Sequence, residues 1–338
     1  MATTLSWILL KAALAGFVIT AAAGWLLIPA LRRLHFGQTI REDGPTWHNK
    51  KQGTPTMGGL CFILGILGSL GLVYLTGIAG AQQGTVSLHQ VQSVLLVLFL
   101  AFGSGLIGFL DDFIKVVMHR NLGLLAWQKL VLQFAVTFGF LFGLHKLGLL
   151  TPVIGLPGGG TLDLGLAYYP IAFFGIIFLV NAVNLTDGLD GLCTSVTFVS
   201  MLGYLLGASL LGFFHVSVVA AAVAGACAGF LVWNFYPAKV FMGDTGSMFF
   251  GGIVTGLAFI MARPELVLLF GIVYIWDAMT VVIQRVYFKL THGKRIFKMT
   301  PIHHAFEMRG WKEVQIDAYF SLIAFIGCVL GVMYIYMS

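Results

Sequence analysis

Asn184-Leu-Thr-Asp-Gly-Leu-Asp-Gly191 separates two long apolar runs of the sequence. A run of about 20 mainly apolar residues can cross a membrane as a helix, so this stretch marks the boundary where one membrane helix meets water. Asn184, Asp187 and Asp190 recur at every third position, which keeps their side chains near one face of a helix. Two carboxylates and two glycines packed together at such a boundary indicate a ligand site. Solvated boundary residues are the simpler alternative.

The composition places the whole chain in a membrane. Of its 338 residues, 59% are hydrophobic and only 9% are charged, whereas a soluble domain carries roughly a quarter charged residues. We predict an all-α polytopic membrane protein, a single integral domain over 1–338, with ten transmembrane helices. The predicted spans lie near 5–31, 57–76, 91–110, 127–145, 167–183, 191–211, 213–233, 247–262, 266–288 and 317–337.

Loops that are rich in basic residues alternate along the sequence with loops that contain few of them. With ten spans, sixteen of the 19 lysines and arginines lie on one side, and the positive-inside rule assigns that side to the cytoplasm. Both termini then lie outside, as does the stretch 151–165, which is predicted to form a small β-hairpin. The basic residues are not gathered into one run, so the sequence predicts no nucleic-acid partner. Most carboxylates share the cytoplasmic side, which indicates a site there for a metal and an anion.

The first cytoplasmic loop ends in Gly53-Thr-Pro-Thr-Met-Gly-Gly59, directly after Lys50 and Lys51. The lysines could hold a phosphate, and the threonine hydroxyls could contact the same ligand. Alternatively, Thr54 or Thr56 could simply cap the helix that follows.

The third predicted span runs into the segment Gly108-Phe-Leu-Asp-Asp-Phe-Ile-Lys115. Adjacent residues on a helix point about 100° apart, so Asp111 and Asp112 cannot share a face. One carboxylate could bind a metal ion while the other faces a different group. Because Asp111 and Lys115 are four residues apart, they could also form a plain ion pair.

Two further loops carry polar groups at predicted membrane boundaries. The seventh span ends in a segment, 234–247, that contains Phe241 and Asp244; Phe241 could stack on a flat ring, although a surface turn uses similar residues. The last cytoplasmic loop contains Pro301-Ile-His-His-Ala-Phe-Glu307, whose histidines could bind a phosphate or a hydroxyl. Between these loops, Asp277 falls inside the ninth span, where an acidic residue is either functional or paired within the bundle.

Together these loops place carboxylates, lysines, histidines and an aromatic ring on one face of the membrane. The sequence contains neither a P-loop nor a dinucleotide-binding fingerprint. Hard carboxylate ligands suit Mg²⁺, which commonly binds through one or two carboxylates and substrate phosphates. The pattern therefore predicts phosphoryl transfer from a soluble nucleotide substrate to a lipid. An ion-coupled transporter that uses Asp277 is the alternative from a different class.

The five ordered motifs resemble those of the polyprenyl-phosphate N-acetylhexosamine-1-phosphate transferase family over nearly the whole chain. They are GTPTMGG (53–59), DDFIK (111–115), NLTDGLDG (184–191), NFYPAKVFMGDTGS (234–247) and PIHHAFE (301–307). The last motif favours the branch that transfers phospho-MurNAc-pentapeptide over the branch that transfers N-acetylglucosamine-1-phosphate, which stays the alternative. Ala305 stands where that branch has a third histidine. Either this histidine is dispensable, or its replacement weakens the enzyme.

The resemblance implies a Mg²⁺-dependent reaction of UDP-MurNAc-pentapeptide with undecaprenyl phosphate, giving lipid I and UMP. It implies a multi-pass protein of the bacterial plasma membrane with a cytoplasmic active site, a homodimer, and a lipid groove beside span nine. The implied metal ligand is Asp244. The implied catalytic residues are Asp111, Asp112, Asp244, His303 and His304. The implied substrate-binding residues are Lys51, Thr56, Lys115, Lys129, Asn184, Asp187, Asp190, Phe241 and Gln284.

Overall fold

The computed structural model describes residues 2–33, 51, 53–78, 87–118, 123–156, 158 and 160–338, most of them helical; Lys50 lies outside this set. The helices are α1 (Ala2–Arg33), α2 (Gly59–Val73), α3 (Leu88–Val117), α4 (Ala126–Lys146), α5 (Tyr168–Thr186), α6 (Leu192–Leu210), α7 (Phe214–Asn234), α8 (Gly243–Ile260), α9 (Val267–Phe270), α10 (Ile272–Leu290), α11 (Ile302–Glu307) and α12 (Glu313–Met337). A π-helical turn, Tyr74–Ile78, extends α2, and 3-10 turns, Gly165–Ala167 and Pro264–Leu266, precede α5 and α9.

Eight of the described helices are long and apolar enough to cross a membrane. A ninth span is obtained if the segment Pro264–Phe270 and α10 count as one, although they meet at an angle of 83°. The chain is therefore a multi-pass membrane protein. The sequence predicted one continuous span over 266–288, and the structure breaks it because Gly271 leaves the helical conformation.

The predicted span over 247–262 corresponds to α8, which is not among those eight helices. Every residue of α8 from Thr245 to Ile260 is buried, with α3, α5 and α2 packed around it. A helix that is buried on all sides needs no apolar stripe of its own, and α8 carries glycines, threonines and a serine among its apolar residues. The prediction of ten spans stays a prediction.

The predicted hairpin is confirmed. Strand β1 (Val153–Gly155) pairs antiparallel with β2 (Thr161–Asp163). The hairpin is attached to the end of α12, because the Tyr334 hydroxyl donates to the Gly155 carbonyl and the Gly158 N–H donates to the Met337 carbonyl at 3.0 Å.

Backbone pairing, not a side-chain cap, orders the start of α2. The N-cap residue is Gly58 and no side chain caps the helix, so the alternative that Thr54 or Thr56 caps it is wrong. The Gly58 N–H donates to the Phe241 carbonyl at 2.8 Å, and the Phe241 N–H donates to the Pro55 carbonyl at 2.9 Å. The GTPTMGG motif is thereby aligned with the segment that leads into α8.

Two helix boundaries bring carboxylates onto helices. The structure extends α3 to Val117, seven residues beyond the predicted end, so Asp111 and Asp112 lie on its last turns. It starts α8 at Gly243, so Asp244 lies in the first helical turn. Helix ends hold side chains in fewer positions than loops do, which favours a defined site.

Gly108 brings α3 into direct contact with the first turn of α8. A Cβ atom at this position would lie 2.0 Å from the Asp244 carbonyl oxygen. We expect Gly108→Ala to destabilise the protein by about 1–3 kcal/mol through overpacking, measured as a lower thermal unfolding midpoint in detergent. The matched control is Gly175→Ala, where a Cβ would meet nothing within 4 Å. Equal midpoints for the two variants would contradict the packing argument.

Candidate active site

Three carboxylates meet where α3 crosses the start of α8. One oxygen each from Asp111, Asp112 and Asp244 lies within 4.8 Å of the others. Asp111 and Asp112 are buried, and Asp244 is half-buried. Like charges this close repel one another, so the cluster requires cations or strong hydrogen-bond donors around it.

Two lysines bridge Asp111 and Asp244. Lys115, on the last turn of α3, lies 2.5 Å from Asp111 Oδ2 and 3.1 Å from Asp244 Oδ2. Lys129, on the first turn of α4, lies 3.2 Å from Asp111 Oδ1 and 3.0 Å from Asp244 Oδ2. The predicted ion pair of Asp111 with Lys115 is confirmed. The same lysine also reaches Asp244, which spacing along one helix could not show.

Asp112 faces the backbone of α8. Its carboxylate accepts hydrogen bonds from the N–H groups of Asp244 at 3.2 Å and Thr245 at 2.9 Å, and from the Thr245 hydroxyl at 2.7 Å. The first N–H groups of a helix have no partner within the helix, and its positive dipole end favours a carboxylate. Asp112 therefore serves as a cap that α3 supplies to α8.

Asn184 and Asp187 approach the cluster from the end of α5. The Asn184 amide donates to Asp244 Oδ1 at 3.0 Å and to the Ser247 hydroxyl at 2.8 Å. Burial raises the pKa of Asp187 well above its usual value, and the charges of Asp244, Asp112 and Asp190 raise it further. Asp187 therefore lies in a buried position close to the other carboxylates.

Lys51, Asp190 and Glu313 form a second network. The Lys51 ammonium lies 2.6 Å from Asp190 Oδ1 and 2.6 Å from Glu313 Oε2. Glu313 also accepts the Asp190 N–H at 3.0 Å, and Asp190 accepts the Ala238 N–H at 2.9 Å. Burial lowers the pKa of Lys51, but both carboxylates outweigh that effect and the pKa lies above its usual value. No sequence motif contains Glu313, and sequence reasoning missed it.

The two histidines of α11 have carboxylate partners. His303 Nδ1 lies 2.7 Å from Asp277 Oδ2, so Asp277 is paired within the bundle. His304 Nδ1 lies 2.6 Å from Glu307 Oε2. Ala305 is only 4% exposed and belongs to the hydrophobic core. The position of the missing third histidine is thus buried among apolar side chains.

Three other predicted residues lie around these networks. Thr56 is buried close to Gly243, at the start of α8. The Phe241 ring is half-buried. The side-chain carbonyl oxygen of Gln284 accepts the N–H groups of Ile296 and Phe297 at 3.0 Å each. The structure thus gives Gln284 a role in holding a loop, and its contact with substrate stays a prediction.

The donor set fits a divalent cation. Carboxylate oxygens are hard ligands of the kind that Mg²⁺ prefers, and three of them converge from two helices. The sequence predicted Asp244 alone as the metal ligand. The structure brings Asp111 and Asp112 within reach of the same position, although Asp112 is already engaged by α8.

Comparisons with known proteins identify the family of the chain. The family model described as Glycosyl transferase family 4 matches residues 94–262, and Phospho-N-acetylmuramoyl-pentapeptide-transferase signature 1 matches residues 51–63. A protein with that transferase name from Halalkalibacterium halodurans is 44% identical over 326 residues, which cover 96% of this chain and 97% of the relative. The same-named protein from Desulfitobacterium hafniense is 45% identical over 339 residues, with coverages of 96% and 97%.

A third relative of that name, from Acetivibrio thermocellus, is 43% identical over 319 residues, which cover 93% of this chain and 92% of the relative. The fold and the site thus define a membrane-embedded enzyme of the transferase class. The chain belongs to the phospho-N-acetylmuramoyl-pentapeptide-transferase family. The resemblance seen in the five sequence motifs is confirmed.

The role of Asp112 as a cap can be separated from a role of its charge. We expect Asp112→Ala to destabilise the protein by about 1–2 kcal/mol, because the first turn of α8 loses its acceptor. Asp112→Asn keeps one acceptor oxygen, so its thermal unfolding midpoint in detergent should lie between those of the alanine variant and the wild type. A midpoint for Asp112→Ala equal to that of the wild type would rule out the cap.

Proposed function

We propose that this enzyme transfers phospho-MurNAc-pentapeptide from UDP-MurNAc-pentapeptide to undecaprenyl phosphate, with Mg²⁺, to give lipid I and UMP. This reaction is the first membrane step of peptidoglycan synthesis. The names of the relatives support the choice of substrates. The observation that carries the chemistry is the cluster of three carboxylates and two lysines at the ends of membrane helices.

The reaction forms one phosphorus–oxygen bond and breaks another. An oxygen of undecaprenyl phosphate attacks the sugar-linked phosphorus of the nucleotide, and the bond to the bridging oxygen breaks, so UMP leaves with that oxygen. Direct attack is favoured over an aspartyl intermediate, because a lipid phosphate is already an anion at neutral pH. Mg²⁺ at the carboxylates would offset the charge of the diphosphate and make its phosphorus easier to attack.

Each network of the site has a proposed part. Asp244 would hold the metal together with Asp111, which also positions or deprotonates the lipid phosphate, and Asp112 keeps the first turn of α8 in place. Lys115 and Lys129 stabilise the negative charge that develops on phosphate oxygens. The remaining predicted contacts with the nucleotide and its phosphates come from Lys51, Thr56, Asn184, Asp187, Asp190, Phe241, Gln284, His303 and His304.

The proposed topology has ten spans, with α8 as the additional span, both termini outside and one integral domain. The end of α3, the start of α4, the end of α5 and the start of α8 contact one another through Lys115, Lys129, Asn184 and Asp244. Alternating spans would bring these four helix ends to the same side. The distribution of basic residues makes that side the cytoplasmic face of a bacterial plasma membrane. A homodimer belongs to the same proposal.

The experiment that tests the function is UMP release by the purified protein in detergent. The protein receives undecaprenyl phosphate and either UDP-MurNAc-pentapeptide or UDP-N-acetylglucosamine, with Mg²⁺ or with a chelator. Turnover with the first nucleotide only, and with Mg²⁺ only, is expected. Turnover with the second nucleotide would assign the enzyme to the alternative branch, and release that persists in chelator would exclude the metal requirement.

Asp244→Ala is expected to lose turnover while keeping the fold. The variant removes a metal ligand and the shared partner of both lysines, so UMP release should fall at least about 100-fold. The matched control is Asp163→Ala in the hairpin, where the carboxylate accepts the Gly165 N–H. Near-normal turnover of Asp244→Ala at saturating Mg²⁺ would remove Asp244 from the metal site.

Ala305→His is expected to bring no gain in turnover. An imidazole in the core leaves a buried polar atom without a partner, which costs about 1–3 kcal/mol, so the thermal unfolding midpoint should fall. UMP release and thermal unfolding of this variant, each compared with the wild type, measure the two effects. A clear rise in UMP release would show instead that Ala305 weakens the enzyme.

A further inference from the structure

Asp277 and His303 form a fully buried pair that joins α10 to α11. Both side chains are 0% exposed. His303 Nδ1 lies 2.7 Å from Asp277 Oδ2, and the His303 N–H donates to Oδ1 at 3.4 Å. The ring and the backbone of His303 are therefore held by one carboxylate. An acidic residue within a membrane helix is costly unless it is paired, so this contact stabilises both partners.

The other side of the His303 ring lies against the NLTDGLDG loop. A Cβ atom on Gly188 would lie 2.2 Å from His303 Nε2, so only glycine permits the observed approach. Gly188 follows Asp187 directly and is two residues from Asp190. The imidazole thus touches the backbone between the two carboxylates that are predicted to line the nucleotide pocket.

His303 Nε2 is buried and has no hydrogen-bond partner among the residues that the structure describes. A buried polar atom without a partner costs about 1–3 kcal/mol, which favours rotation of the ring away from this position. Rotation would also break the bond to Asp277 and leave a carboxylate unpaired inside the bundle. The orientation of Nε2 therefore depends on Asp277, because the bond at one ring nitrogen determines the protonation of the other.

We propose that Asp277 is a positioning residue that acts through His303. It holds the imidazole against Gly188 and so fixes the loop that carries Asp187 and Asp190, which are predicted to line the nucleotide pocket. This inference rests on the proposed function. It assigns the acidic residue of span nine to substrate positioning, in place of ion transport or a purely structural pair.

A double-mutant cycle on UMP release tests the coupling. Asp277→Ala and His303→Ala should each lower kcat/KM on the order of tenfold or more, and the double variant should be no slower than His303→Ala alone. Asp277→Glu keeps the charge and should restore part of the lost activity. Effects that multiply in the double variant would overturn the positioning role, because they would show that each residue acts separately.

The matched control is Glu265→Gln. Glu265 pairs with Arg263 at 2.6 Å, beyond the end of α8 that lies away from Asp244. Its effect on turnover should be small and should multiply with that of His303→Ala. Thermal unfolding of every variant identifies losses of activity that come from lost folding. Should Asp277→Ala fail to fold, the isosteric Asp277→Asn takes its place in the cycle.

A second readout does not depend on turnover. In protein labelled with ¹⁵N-histidine, the ring signals of His303 are those that disappear in His303→Ala. Asp277→Asn should shift these signals, and Glu265→Gln should leave them unchanged. Unshifted signals in Asp277→Asn would overturn the positioning role whether or not the enzyme turns over. Absence of turnover in the wild type would overturn the proposed function. The shift of the His303 ring signals would still test whether Asp277 positions the imidazole.

Discussion

The hydrogen bonds between Asp112 and the first turn of α8 are the contact on which the site depends. They fix the end of α3 to the start of the most buried helix, and they bring Asp111 and Asp244 within reach of the same two lysines. A carboxylate is well suited to this task, because the helix end offers free N–H groups and a positive dipole. The pairing of opposite charges then offsets part of the repulsion among the carboxylates.

The NLTDGLDG loop connects this cluster with the other two networks. Asn184 reaches Asp244, Asp190 reaches Lys51 and Glu313, and Gly188 contacts His303. Helices α5, α8, α11 and α12 are therefore joined through eight consecutive residues. Each of these contacts is buried or half-buried, so the loop is held at three points along its length.

The helix that carries Asp244 is enclosed by other helices along most of its length. Its residues are buried from Thr245 to Ile260, and glycines lie among its phenylalanine and aliphatic side chains. Small residues allow close approach of neighbouring helices, which is how helices associate within membranes.

Local spacing in the sequence determined the membrane class, the hairpin, the motif loops and the ion pair of Asp111 with Lys115, because these depend on residues close together in the chain. Only the tertiary structure decided which carboxylate faces which partner. Lys129 meets Asp244, Glu313 meets Lys51, and Asp277 meets His303. Such contacts join residues far apart in sequence, and they follow from helix packing that no periodic pattern encodes. The same packing buries Ala305 in the hydrophobic core.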